Sequence, residues 1–436
     1  MQLRWHQWVV LALYRALFTL VVLLFVVVFP LWTFTTKRRS TLFKRLGWQD
    51  YPHAPQSPHK PVWIHALSIG ELLSAGSLIE QVRRTIDDRP LYLSVSTLSA
   101  FTIATERFTR FCDGLFYFPY DVAFSVTRCL DKINPALVVL IETDIWPGFL
   151  AEIRRRQIPC LLVNGRLSPE SFRSYNFFRV LFQPAFNTFH WVYPQSPGET
   201  ERFRAIGVEP AKLRSIGNLK FDVALSVPGE DARAALRQEL NIPSDSRILI
   251  AGSTHPGEED IIRSCFLKLR KEFPTLRLIL VPRHPQRGAD VLDLFRHDGI
   301  DTALLSQPSR SIPVVVVVDR MGYLSRLYAL ADIAVVGGSF VPKGGQNPIE
   351  PAACGKPILF GPDMHDFPDV SQWLLDAGGA VQARHEEDLY AACHRLLADP
   401  QEARRMGERA RHVVVENQGS TMKIVQDIAR MVRDEV

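Results

Sequence analysis

The chain has 436 residues, room for two or three domains, and its 47% hydrophobic and 22% charged content excludes a disordered or low-complexity polymer. Its net charge of +5 divides unevenly: residues 1–50 carry about +6 and the remainder about −1, so the folded body lacks the basic excess that a nucleic-acid binder needs. Six cysteines are scattered singly, which suits reduced thiols in a cytosolic compartment and excludes a disulfide framework or a CxxC metal site.

The first element is apolar. From Ala16 to Phe34 there is no charge, and the stretch extends back to Trp8 with only Arg15 interrupting it. About 20 such residues can cross a bilayer core. No signal-peptide cleavage pattern follows; Pro30 and Trp32 lead into Lys37, Arg38, Arg39, Lys44 and Arg45, which predicts a cytoplasmic body. Residues 1–35 are therefore expected to be a membrane anchor, spanning or lying in one leaflet. Trp5, Trp8 and Trp32 would sit at its interfaces. A buried helix of a soluble domain is the alternative. Residues 36–60, basic and then Pro-rich, are expected to be a linker.

Beyond it, short apolar runs alternate with amphipathic stretches. Strands are predicted at 62–66, 91–97, 115–119, 136–142, 160–164 and 192–196, and again at 247–254, 276–283, 302–305, 314–319, 333–339 and 357–361. Strand alternating with helix predicts parallel sheets covered on both faces. The expected organisation is a doubly wound domain over 61–222, a linker over 223–246, a second such domain over 247–415 and a terminal helix over 416–436. Ligands of such domains bind at the carboxyl ends of the strands, so a cleft between the halves is the expected site.

Chemistry-bearing residues recur at those strand ends. Ser68, Gly70 and Glu71 open the helix after the first strand, where the dipole should keep Glu71 ionised and ready to accept a proton; an acid there can equally serve only the helix. Glu142, Thr143 and Asp144 follow the fourth strand, placing carboxylates at the sheet's carboxyl edge; Thr143 or Asp144 can equally serve only as a helix cap. Asn164, Arg166 and Ser168 follow the fifth, and Lys220 closes the half, facing an anion or solvent. In the second half Ser253, Thr254 and His255 form a turn suited to a phosphate. Arg283 and His284, then Met321, Gly322 and Tyr323, end later strands and can equally be ordinary loops. Gly338, Ser339 and Gly345 allow close backbone approach to a ligand. Asn347 as N-cap, Pro348 and Glu350 read as a helix start whose acid either caps or accepts from a ribose diol. No P-loop or early dinucleotide fingerprint is present. Aromatics through 172–191, with Arg173 and Arg179, suit core packing or a lipid-facing helix.

These blocks, in this order, resemble the Kdo (3-deoxy-D-manno-octulosonic acid) transferases of lipopolysaccharide assembly, from the anchor to about residue 415. They are Ser68-x-Gly70-Glu71, Glu142-Thr143-x-x-Trp146-Pro147, Asn164-x-Arg166-Leu167-Ser168, Gly217-Asn218-Leu219-Lys220-Phe221-Asp222, Ala251-Gly252-Ser253-Thr254-His255, Pro282-Arg283-His284-Pro285, Met321-Gly322 and Gly344-Gly345-x-Asn347-Pro348-x-Glu350. The resemblance implies a GT-B fold, two Rossmann-like α/β domains, and inverting transfer of Kdo from CMP-Kdo to a lipid A precursor at the cytoplasmic face of the inner membrane. It implies Glu71 as general base, Glu142 and Lys220 as transition-state stabilisers, and an acceptor site around Ser68, Gly70, Asn164, Arg166 and Ser168. The later blocks, from Ser253 to Glu350, would hold the nucleotide sugar. Tyr323, Gln346, Asp144 and Gly148 depart from the usual pattern. Without a DxD-type cluster, no metal and no cofactor is expected. A nucleotide-sugar 2-epimerase or a non-catalytic membrane scaffold on the same fold are the competing expectations.

Overall fold

A computed structural model describes residues 5–32, 36–52, 57–222, 228–307 and 311–433, and side chains outside 25–40. Outside the described residues lie 1–4 and 33–35 of the expected anchor and 53–56 and 223–227 of the expected linkers, as do the side chains of Trp32, Lys37, Arg38 and Arg39. The chain forms two units, one of residues 1–223 with 418–436 and one of residues 224–417.

The first unit holds β1 (Val62–Ala66), β2 (Leu91–Val95), β3 (Gly114–Tyr117), β4 (Leu137–Ile141), β5 (Cys160–Gly165) and β6 (Trp191–Pro194). All pair in parallel, in the order β3-β2-β1-β4-β5-β6. The strands are continuous apolar runs because helices cover both faces; every residue of β1, β2 and β4 is buried. Strand order reverses beside β1, so the ends of β1 and β4 diverge and leave a crevice at the carboxyl edge.

The second unit holds β7 (Arg247–Thr254), β8 (Leu276–Pro282), β9 (Thr302–Leu304), β10 (Val315–Val317), β11 (Ile333–Val336), β12 (Ile358–Phe360) and β13 (Ala380–Gln382), in the order β13-β12-β11-β7-β8-β10-β9. All twelve predicted strands form; β13, three residues after Gly378-Gly379, has no apolar run to announce it. Helix Glu230–Glu239, within the stretch expected as a linker, buries Leu236 in this second core.

Two terminal segments join the first unit. Helix Ser420–Arg433 packs on helix Gly76–Thr85, burying Ile424, Val425, Ile428 and Val432, and Tyr193 Oη donates to Asp427 at 2.8 Å. At the other end, α1 (Trp5–Trp32) is long and apolar enough to cross a membrane over Trp5–Leu24. Its Leu11 is buried, while Leu13, Leu17, Leu20 and Val21 are exposed. Part of the expected 36–60 linker is helical: α2 (Thr36–Arg45) buries Thr41 and Leu42 against the unit. The aromatic 172–191 stretch divides its uses, since Phe186 and Phe189 are fully buried but Phe177 is 82% exposed.

Candidate functional site

At the carboxyl edge of the first sheet, Leu67, Glu71, Glu142, Thr143, Asp144, Arg166, Ser168, Ser171 and Tyr175 line a cavity of about 320 Å³. The segments that follow β1, β4 and β5 contribute. After β1, Ser68 caps α3 (Ile69–Ser74), and Glu71 folds back so that its carboxylate accepts the Leu67 amide at 2.6 Å and the Ser68 hydroxyl at 3.3 Å. This is a capping box, so Glu71 does cap the helix, and it still reaches the cavity.

The expectation that the helix dipole keeps Glu71 ionised is corrected. Burial, reinforced by the nearby charges of Glu142 and Asp144, pushes its carboxyl up to about 8, and the Leu67 and Ser68 hydrogen bonds recover only part of the shift. The six-residue helix α3 supplies too little dipole to outweigh two acids and desolvation. A carboxyl raised this far is a stronger base once ionised.

After β4, Glu142 adopts φ +58° and, at the end of β5, where the register shifts between Val163 and Gly165, Asn164 adopts φ +59°. The left-handed region is costly for residues with a side chain and concentrates at functional sites. The Thr143 hydroxyl and the Arg166 backbone exchange hydrogen bonds, one of them from Arg166 N at 2.9 Å, which clamps the β4 and β5 ends together. Asn164 is buried, turned away from the cavity, and its Oδ1 accepts the Leu219 amide at 3.2 Å. Lys220, in the turn Leu219–Phe221, and Gly70 are not among the residues lining the cavity. Thr143, quoted with the Glu142 block, clamps the wall rather than capping a helix, and Ser171 and Tyr175 join it unannounced by the sequence, because only the fold brings them to it.

In the second unit the expected donor residues gather at the ends of β7, β8 and β11. Ser253 adopts φ +57°; Thr254 is buried, its hydroxyl donating to Glu259 at 2.8 Å. The His255 and His284 rings meet edge to face at 6.1 Å. Burial, then the positive neighbours His284, Lys343 and Arg283, holds the His255 ring below its ordinary value. This group of cationic and imidazole side chains suits an anion.

The glycine-rich turn is filled from within. The Glu258 carboxylate, fully buried, accepts the amides of His255 at 2.9 Å, Gly338 at 2.6 Å, and Ser339 and Phe340 at 2.9 Å each. The His255 turn and the Gly338–Ser339 backbone were expected to face a ligand; an internal acid holds their amides, and that of Phe340, instead. A Cβ on Gly345 would lie 2.3 Å from the Met364 sulfur, so this glycine admits a protein neighbour. Asn347 accepts the Ile349 amide at 3.0 Å and donates to Glu350 at 3.4 Å, with the helix starting at Ile349, one residue later than expected. Burial raises the Glu350 carboxyl above its usual range, and Asn347 opposes this. Tyr323 Oη donates to Glu239 at 3.0 Å, and Met321 is 71% exposed.

Two Rossmann-like parallel sheets of this kind define the GT-B type of nucleotide-sugar protein. The fold is shared with the UDP-GlcNAc 2-epimerase of Neisseria meningitidis, at TM-score 0.59 and 14% identity, the match covering 84% of this chain and all of that one. A profile of the family described as 3-deoxy-D-manno-octulosonic-acid transferase (kdotransferase) matches residues 40–223. The 3-deoxy-D-manno-octulosonic acid transferase of Haemophilus influenzae is 31% identical over 395 residues, covering 89% of this chain and 90% of that protein. The enzyme of the same name from Chlamydia pneumoniae is 30% identical, covering 79% and 78%. The chain belongs to the 3-deoxy-D-manno-octulosonic acid (Kdo) transferase family, and it is a glycosyltransferase.

Proposed function

We propose that the protein transfers Kdo from CMP-Kdo to a lipid A precursor with inversion at the anomeric carbon. The observation that carries this is Glu71 on the wall of the first unit's cavity, raised to about 8 by burial and its acidic neighbours. In its ionised form Glu71 takes the proton of an acceptor hydroxyl. That oxygen forms the new bond to the anomeric carbon as the bond to the CMP phosphate oxygen breaks and its electron pair leaves with CMP. The acceptor would be held by Arg166 and Ser168 on the cavity wall, with Ser68 ordering Glu71 from behind. Arg283, His284, His255 and the Asn347–Glu350 turn would hold the nucleotide sugar. Lys220 and these cationic groups would offset the developing phosphate charge, the role a metal plays in other transferases.

Helix α1, long and apolar enough to meet a bilayer, would keep the catalyst on the cytoplasmic face of the inner membrane, in the leaflet holding its lipid acceptor. Incubation with CMP-Kdo and a lipid A precursor, followed by mass spectrometry of the lipid, tests the proposal. A mass increase of one or more Kdo units is expected, together with loss of product in Glu71→Gln. Epimerised or unchanged donor and unmodified lipid would overturn it.

A further inference from the structure

Behind the cavity wall, a buried polar chain crosses three adjacent strands. Trp63 Nε1 donates to Ser94 Oγ at 2.7 Å. Ser94 Oγ lies 2.9 Å from His65 Nδ1, and His65 Nε2 lies 3.0 Å from Asp144 Oδ2. Trp63 and His65 stand two apart on β1, so they share a face; Ser94 is the β2 residue in register with His65; Asp144 follows β4. Trp63, His65 and Ser94 are fully buried, and the Asp144 side chain is 9% exposed.

The direction of the chain follows from its members. Indole N–H can only donate, so the Ser94 oxygen accepts there and its own proton is free for His65 Nδ1. With Nδ1 accepting from Ser94, the ring N–H lies on Nε2 and donates to Asp144 Oδ2 at 3.0 Å. The ring is held in place by Phe118, stacked at 3.9 Å between centroids. Nothing in the fold of β1 requires a histidine in a fully apolar strand, and a buried polar chain that ends on a cavity wall points to the cavity.

We infer that His65 is the positioning residue of the site: through Trp63, Ser94 and its own Nε2–H it holds the Asp144 carboxylate in place on the cavity wall beside Glu71. His65 touches no substrate. It acts by sustaining the field in which Glu71 accepts its proton. The groups facing Glu71 are Glu142 from the end of β4, Asp144, Arg166 from the end of β5, Tyr175 from helix Pro169–Phe177, and the Leu67 and Ser68 donors of its own turn. The Arg45 guanidinium of α2 also acts on Asp144. Glu142 contributes more to the Glu71 shift than Asp144 does, so the effect of losing Asp144 is partial.

The inference rests on the reading of Glu71 as base, and the test separates the two. Glu71 is labelled with carboxyl-13C and its titration followed by NMR in the full chain, alongside the pH dependence of kcat/KM. In His65→Leu, Asp144 loses the ring donor that holds its carboxylate in place on the cavity wall. Asp144→Asn removes the charge directly, on the cavity wall where refolding risk is small. Both variants are expected to lower the Glu71 midpoint by up to about one pH unit, with the acid limb of kcat/KM moving alongside. His65→Gln, whose amide can still donate to Asp144, should restore most of the shift. Unchanged midpoints in folded Asp144→Asn and His65→Leu would overturn the inference and leave His65 as a packing residue. A midpoint that moves while the kinetic limb stays still would uphold His65 and remove Glu71 as the base.

Discussion

Tyr14 of α1 donates its hydroxyl to Asp121 at 2.8 Å, and Asp121 also accepts the amides of Gly148 at 2.8 Å and Phe149 at 2.6 Å. Arg45 of α2, thirty-one residues later, donates to the Phe118 carbonyl at 3.0 Å. Phe118 and Asp121 are at most about 11 Å apart along the chain. A helix crossing the membrane between Tyr14 and α2 would put about 30 Å of hydrocarbon between those two contacts. The docked N-terminal half of α1 therefore lies on the same side as the body. Single cysteines at Trp8 and Lys44 should both react with an impermeant maleimide from one and the same face of membrane vesicles, and neither from the other. Labelling of position 8 from the face opposite to position 44 would show that α1 crosses and that the Tyr14–Asp121 contact is not kept.

Glu71 makes stability and catalysis pull in opposite directions with pH. Its carboxyl is raised from the ordinary 4.5 to about 8 in the folded protein. Below the ordinary value the acid is protonated in both folded and unfolded chains and contributes nothing. As pH rises from there to about 8 the unfolded chain ionises first, so the folded state loses stability, and above 8 the loss is constant. Glu71→Gln should leave the melting temperature near that of the parent at pH 4.5, exceed it increasingly toward pH 8, and lose at least about a hundredfold in kcat. Melting curves that stay parallel across this range would mean the carboxyl is not raised.

Glu142 carries two burdens at once, a carboxylate beside Glu71 and a left-handed backbone at φ +58°. Glycine relieves the second at little steric cost. Glu142→Gly should gain about 1 kcal/mol in denaturant unfolding while activity falls, whereas Glu142→Ala should lose activity without that gain. Equal stability of the two variants would argue that the conformation is not strained.

The sheets were legible because parallel strands buried on both faces are uninterrupted apolar runs, as in Val138, Val139 and Leu140. Their carboxyl ends could be read as sites for the same reason. What the sequence hid was direction and occupancy. Glu258 is one of three acids in the first turn of helix Glu258–Glu272, and nothing local tells that its carboxylate turns back under residues from Gly338 to Phe340, some eighty positions on. Likewise His65 stands in β1, three residues before the first motif block, and only the register with Ser94 and the turn after β4 give its ring two partners.

Glu258 also carries the clearest structural prediction of the second unit. Four backbone amides converge on its two oxygens, and the carboxylate is wholly removed from water. Charge-assisted bonds of this kind are roughly twice as strong as neutral ones, and each buried donor left without a partner costs about 1–3 kcal/mol. In Glu258→Ala four donors lose their acceptor, so unfolding free energy should drop by at least about 3 kcal/mol after partial rescue by water. Glu258→Gln keeps one carbonyl oxygen but turns an amide N–H₂ toward backbone N–H groups, so it should recover little. The His255 turn and the Gly338–Phe340 turn would then lose the acid that ties them together and sets His255 against His284. Affinity for CMP, measured by calorimetry at a temperature where the variant is still folded, should fall by about tenfold or more, one such step being worth about 1.4 kcal/mol. Retained CMP affinity in a destabilised Glu258→Gln would mean that the turn keeps its shape without the acid, and that Glu258 serves stability alone.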